Sequence, residues 1–170
     1  MHKFSYFFGL VLLSLFACEP AGSPATEATE PAEVLPTAEE GRQAIEQLVR
    51  DAFDEVWSAC DTTALDRLHT ADFVLLEHGE VWTNDTIKNY QIGEAVRTAE
   101  QGYERQNSFE FIETVADGKT VWTAYHNYAK WVKDDEVLFT GQWLESAVAI
   151  LTEDGWKLKM LHSTRVPRNE

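Results

Sequence analysis

The chain has 170 residues, 44% of them hydrophobic, with nine phenylalanines and six tryptophans, enough for one domain with a real core. Twenty-nine acidic residues against fourteen basic ones give a formal charge of −15. Such a chain repels phosphate backbones and anionic lipid head groups, so nucleic acid is excluded as a partner.

The first element is the fourteen-residue apolar run Phe4 to Ala17, preceded by Lys3 and stopped by Glu19-Pro20. A membrane-spanning helix needs roughly 20 apolar residues, and this run is shorter. A positive start, a short apolar stretch and a small residue before the cut mark a secretory signal. Leu15-Phe16-Ala17-Cys18 resembles the bacterial lipobox, whose cysteine is lipidated and becomes the first residue of the mature protein. Residues 1–17 are therefore expected to be a signal peptide. Cys18 is the expected lipidation site, which holds the protein in a bacterial cell envelope with the bilayer as partner, on the periplasmic or extracellular side. Loss of Lys3 with the signal takes the formal charge from −15 to −16. Cys60 is then left without a disulfide partner and is expected to be an inert, half-buried thiol.

Residues 18–36 carry four of the five prolines and no Lys or Arg, a composition that cannot bury a core and predicts a disordered tether. The domain is expected to span residues 37–168. Thr37-Ala38-Glu39-Glu40 fits a capping box, and Ile45, Leu48, Val49, Ala52, Phe53, Val56 and Trp57 follow at helical spacing. Asp61 can cap a second, short helix to His69. Alternation then predicts a hairpin around His78-Gly79, and Thr83 or Asn84 opens a third helix through Ile87 and Tyr90. Residues 107–115, 120–132, 137–151 and 156–166 read as four long strands joined by short turns. Helices followed by a long meander predict an α+β fold, a curved antiparallel sheet of about six strands with three helices on one side.

Three segments carry a family likeness: Ala64-Leu65 through Leu68-His69 to Ala71-Asp72-Phe73, Glu77-His78-Gly79-Glu80-Val81-Trp82, and Gly155-Trp156-Lys157-Leu158 running to His162-Ser163-Thr164-Arg165. In order and spacing they resemble the nuclear transport factor 2-like superfamily, in particular its SnoaL-like and ketosteroid-isomerase-like bacterial members. The resemblance implies a cone, with the sheet wrapped around the helices and a pocket at its open end. Such domains include isomerases, cyclases, dehydratases and epoxide hydrolases beside many binding and dimerisation modules, so the fold leaves function open.

Turn positions predict the cross-strand neighbours. The Asp117-Gly118 turn places Phe109 opposite His126, the Asp134-Asp135 turn places His126 opposite Trp143, and the loop 152–155 places Glu145 opposite His162. On the last strand Lys157, Lys159 and Arg165 alternate with Trp156, Leu158, Met160, His162 and Thr164, which assigns the second set to the interior. By pairing, that face also holds Trp122, Ala124, His126, Tyr128, Trp143 and Glu145. An aromatic face with a few convergent polar groups is the usual form of a small-molecule site. Trp122, His126, Tyr128, Trp143, Met160 and Thr164 are the expected ligand-binding residues, around a small and largely apolar molecule. Glu145 and His162 are the candidate catalytic pair, because opposed residues lie about 4.5–5.5 Å apart and a carboxylate at that distance orients an imidazole. Simple binding remains the first reading and metal-free acid/base catalysis the alternative. His126, Glu145 and His162 also make a two-histidine, one-carboxylate set, but Ala124 is the direct neighbour of Glu145, so neither metal nor cofactor is expected. Glu77-His78-Gly79-Glu80 reads as a solvated turn, and Trp57, Trp131 and Trp156 as core. The opposite face, with Val121, Thr123, Tyr125, Leu144, Val148, Ile150 and Leu161, is too apolar to be left in water and predicts a homodimer.

Overall fold

A computed structural model describes residues 34–167. The expected signal peptide, Cys18 and residues 18–33 of the expected tether lie outside the described residues. Helix α1 (Ala38–Asp51) opens with the capping box: the Thr37 N–H donates to Glu40 Oε2 at 2.7 Å, and the Glu40 N–H donates to Thr37 Oγ1 at 3.2 Å. Its inner stripe of Ile45, Leu48 and Val49 is buried. Gly41 lets the first turns approach the sheet, since a Cβ there would meet Ala116 Cβ at 2.9 Å.

The helix runs on without a break into a π-helical segment, Ala52–Ser58, which turns Phe53 and Val56 inward. Cys60 follows in a left-handed conformation (φ 56°), half-buried, and burial pushes its thiol up from the ordinary range. The Asp61 carboxylate accepts from the Thr63 N–H at 2.8 Å and caps a short 3-10 turn leading into α2 (Leu65–Leu68). Strands β1 (His69–Glu77) and β2 (Glu80–Trp82) form the expected hairpin, and Thr83 caps α3 (Asn84–Gln101). The long strands are β3 (Glu104–Asp117), β4 (Thr120–Lys133), β5 (Glu136–Thr152) and β6 (Gly155–Arg165).

The fold is α+β, as expected, with three helices and one six-stranded curved sheet in the order β2-β1-β6-β5-β4-β3. The pairing differs in one place: β1 runs parallel to β6, so the sheet is mixed rather than antiparallel throughout. The excursion through α3 and the β3–β5 meander returns β6 to the flank of β1 running in the same direction. Asn84, at the start of α3, ties this corner together. Its Nδ2 donates to the Thr70 carbonyl at 2.9 Å, which leaves Oδ1 to accept from Nδ1 of His69 at 2.8 Å. Burial pushes the pKa of His69 down to about 4, so the ring stays neutral, stacked on Phe73.

Three β-bulges overturn the expected register. Ile112 is the extra residue of β3, between the pairs Phe111–Tyr125 and Glu113–Ala124. Leu138 is extra in β5, between Trp131–Phe139 and Val132–Val137, and Lys159 is extra in β6, between Ala149–Leu158 and Val148–Met160. Each extra residue moves the strand beyond it by one and exchanges its faces. Phe109 therefore faces Asn127 rather than His126, and Trp143 likewise faces Asn127. Glu145 sits between Tyr125 and Ser163, not beside His162. The buried face of β4 is Val121, Thr123, Tyr125, Asn127 and Ala129, and that of β6 is Leu158, Leu161 and Ser163. The helices cover this face, and Ile45, Val49, Phe53 and Val56 meet Leu75, Val121, Tyr125, Ala147 and Leu158 in the core.

Candidate functional site

At the end of the sheet left uncovered by α1 lies a cavity of about 360 Å³. Its walls come from the π-helical segment (Phe53, Trp57), the β1–β2 hairpin and α3 (Trp82, Tyr90), and the long strands (Trp131, Phe139, Trp143). The rings touch in sequence: Trp57 and Trp82 lie 6.1 and 5.2 Å from Tyr90, and Trp131 stacks on Phe139 at 4.4 Å. The indole of Trp143 lies across the backbone of Gly141, where an added Cβ would sit 2.5 Å from the ring. Glycine is therefore required there for the ring to lie flat against the strand.

The polar lining consists of Arg105, Glu145, Ser163 and, from the hairpin and the last strand, Glu77, His78 and Arg165. Glu145 is 5% exposed. Ser163 Oγ donates to its Oε1 at 2.9 Å and Asn127 Nδ2 to its Oε2 at 3.3 Å. Burial pushes the Glu145 carboxyl up to about 7, against the downward pull of Ser163 and of the positive charge on Arg105. At neutral pH it is poised to give or take a proton. Beside it lies the fully buried Tyr125 hydroxyl, which faces the same carboxyl, and Asn127 Oδ1 has no hydrogen-bond partner among the described residues. The phenol is held protonated by burial and by the carboxylate next to it.

Arg105 stands on the same inner face of β3 as Phe109 and Phe111. Its Nε donates to Asn107 Oδ1 at 3.1 Å, and Asn107 Nδ2 donates to Ser58 Oγ at 2.9 Å, so the π-helical segment helps to orient the guanidinium. The rings of Phe53, Trp131 and Trp143 surround it at 5.5, 5.3 and 5.5 Å. Burial lowers its pKa, but the group remains a cation at any ordinary pH.

Of the expected site residues, the structure brings Trp143 and Glu145 to the cavity. It places Trp122, His126, Tyr128, Met160, His162 and Thr164 on the other side of the sheet. There Tyr128 donates to Glu110 at 3.2 Å, His126 lies 3.4 Å from the Gln142 amide, and His162 pairs with Ser146. The Glu145–His162 pair is not formed, because the Lys159 bulge turns His162 outward. The expected solvated turn holds at His78, Gly79 and Glu80, which are exposed, while Glu77 is half-buried and meets His78 at 2.7 Å on the cavity rim. Trp57 and Trp131, expected in the core, line the cavity instead. Arg105 escaped the sequence reading although a signal was present: Arg105, Asn107, Phe109 and Phe111 alternate with Gln106, Ser108 and Glu110.

No protein-family model matches this chain, and no curated protein matches it. Solved structures do. Aln2 from a Streptomyces species superposes with a TM-score of 0.62 at 17% identity, covering 78% of this chain and 94% of that one. A nuclear transport factor 2-like protein with a cystatin-like fold from Novosphingobium aromaticivorans gives 0.61 at 14%, covering 77% and 85%. A cystatin-like protein from Caulobacter vibrioides gives 0.56 at 16%, covering 75% and 91%. The chain thus has the nuclear transport factor 2-like, cystatin-like fold that the sequence resemblance implied, and at these identities the likeness establishes the fold alone.

The Glu145 carboxyl holds its proton more tightly in the folded state than in the unfolded one, where its pKa is near 4.5. Its contribution to stability is thus complete below about 4.5 and declines as pH rises through about 7, by about 3 kcal/mol in all. His69 acts oppositely, contributing above 6.5 and losing that contribution as pH falls towards 4. It is common to parent and variant and cancels in their difference. Glu145→Gln is therefore expected to gain stability relative to the parent as pH rises from about 4.5 to 7, read by urea unfolding. A parent–variant difference that is flat with pH would show the carboxyl to be solvated.

Proposed function

We propose that this domain binds a small organic molecule with an aromatic or aliphatic body in the cavity between the π-helical segment and the open end of the sheet. The observation that carries this reading is the cavity itself: about 360 Å³ walled by aromatic side chains, with Arg105, Glu145 and Ser163 converging on it. That volume lies in the range of small-molecule sites, and apolar walls with a few placed polar groups are their usual form. The raised pKa of Glu145 supports a second reading, metal-free acid/base chemistry on a bound carbonyl or cyclic substrate, with Glu145 as the proton-transfer group. His162 has no part in it, since it points away from the cavity.

A neutral apolar fluorophore such as N-phenyl-1-naphthylamine is expected to bind saturably and to quench tryptophan emission. Gly141→Ala, which forces the Trp143 indole off the strand, is expected to weaken that binding by about tenfold or more. Absence of saturable binding by the parent would remove the pocket reading.

We place the domain at the bacterial envelope, held by lipid on Cys18. This rests on Lys3, the apolar run after it and the Leu15–Cys18 sequence. Among the described residues no helix is long and apolar enough to cross a membrane. Cys18→Ala is expected to move the protein from the membrane pellet to the soluble fraction; retention in the pellet would refute the anchor.

A homodimer through the outer sheet face completes the proposal. The expected face is revised by the bulges: Val121, Thr123, Tyr125 and Leu161 turn into the core, while Trp122 (39% exposed) and Leu144 (47%) stand outside with Val148 and Met160. Light scattering is expected to give twice the chain mass for the parent and a single chain mass for Leu144→Asp. A monomeric parent would exclude the dimer.

A further inference from the structure

We propose that the cavity's ligand carries a carboxylate, and that this group pairs edge-on with the Arg105 guanidinium while the apolar part of the molecule lies between Trp57, Trp82 and Tyr90. This rests on the small-molecule reading above and gives it a chemical class.

Four observations support it. First, Arg105 is a half-buried cation whose charge is unmatched: no carboxylate among the described residues lies within ion-pairing distance, and only its Nε has a hydrogen-bond partner there. The two terminal amino groups, with four N–H donors, have no acceptor among the described residues. These donors are open to the cavity rather than sealed, which leaves them available to an acceptor that enters it. Second, the nearest candidate partner is already engaged. The oxygens of Glu145 accept from Ser163 and Asn127, and burial favours its neutral form, so it acts on Arg105 only through space.

Third, the guanidinium is fixed. Asn107, itself held by Ser58, holds the Nε side, and three aromatic rings crowd the group at 5.3–5.5 Å. A pre-positioned planar fork suits the two coplanar oxygens of a carboxylate, which it can bind bidentately. Fourth, the surroundings favour one negative charge over two. Of the other charged groups in the lining, Arg165 is exposed, Glu77 is acidic and Glu145 is a carboxyl, so Arg105 is the one half-buried cation there to match a ligand's negative charge.

The test uses the full-length protein in detergent and displacement of the neutral fluorophore by three ligands that share a body: 4-phenylbutyrate, 4-phenylbutan-1-ol and 4-phenylbutyl phosphate. The acid is expected to bind at least about tenfold more tightly than the alcohol, and more tightly than the phosphate. Arg105→Met is expected to bring the acid down to the affinity of the alcohol, read as the acid-to-alcohol ratio within the same protein. Where Arg105→Met does not fold, Arg105→Lys keeps the charge but loses the fork, and should retain only part of the acid-over-alcohol preference. Equal binding of acid and alcohol by the parent would overturn the carboxylate assignment while the fluorophore still bound, leaving the pocket reading intact. Tighter binding of the phosphate, or an undiminished acid preference in a folded Arg105→Met, would overturn it as well. Failure of the fluorophore and of all three ligands to bind would instead remove the pocket reading on which the assignment stands.

Discussion

The parity of three β-bulges is the constraint on which the rest of this structure depends. A strand has two faces, and one inserted residue exchanges them for everything beyond the insertion. Ile112, Leu138 and Lys159 each make such an exchange. Leu138 and Lys159 align Tyr125, Asn127, Glu145 and Ser163 on the helical side and leave His126 and His162 on the other, and Ile112 brings Arg105, Phe109 and Phe111 to that same helical side. Bulges also bend and twist the strands that carry them, consistent with a sheet that curves around α1 and leaves one end open. The insertions that fix the polar cluster thus lie in the same strands whose curvature leaves room for a cavity.

That cluster is costly to assemble. A carboxyl, a phenol, an amide and a guanidinium are gathered where water is scarce, and one polar atom, Asn127 Oδ1, has no partner among the described residues. Buried polar groups left unpaired each cost on the order of 1–3 kcal/mol. The core offsets this: Ile45, Val49, Val56, Leu68, Leu75 and Leu158 are all essentially inaccessible, and each such side chain contributes about 1.5–3 kcal/mol. An unsatisfied polar atom beside a cavity, with a cation and a proton-exchanging acid on its wall, is the arrangement that the proposed ligand binding calls for. The π-helical segment belongs to the same arrangement, since Phe53 and Trp57 form part of the wall and Ser58 anchors the amide that orients Arg105.

The two faces of the sheet divide the remaining chemistry. The inner face carries the cavity and the buried charge. The outer face carries Trp122, Leu144, Val148 and Met160 among His126, Ser146 and His162, a mixture that suits contact with another surface better than full exposure. Both faces of β4 are rich in aromatic and small side chains, with Val121, Thr123 and Tyr125 on one side and Trp122, Ala124 and His126 on the other.

How much was legible in advance follows from this. The capping box at Thr37 and Glu40, the 3.6-residue stripe through Ile45 and Val49, the hairpin at His78-Gly79 and the long alternating strands were all readable. Each depends on contacts between residues close in the chain. The order of these elements was enough to indicate the fold. The interior of β5, with Trp143, Glu145, Ala147 and Ala149, was also assigned correctly. The faces of β4 and of the second half of β6 were not, because alternation there is apolar on both sides and cannot reveal an inserted residue. Whether Glu145 meets an imidazole or a serine hydroxyl was settled by packing against α1, which buries Tyr125 and Leu161 in preference to His126 and Met160. Local chemistry determined the elements; the parity of the sheet, a property of strands distant in sequence, decided which side chains share the cavity.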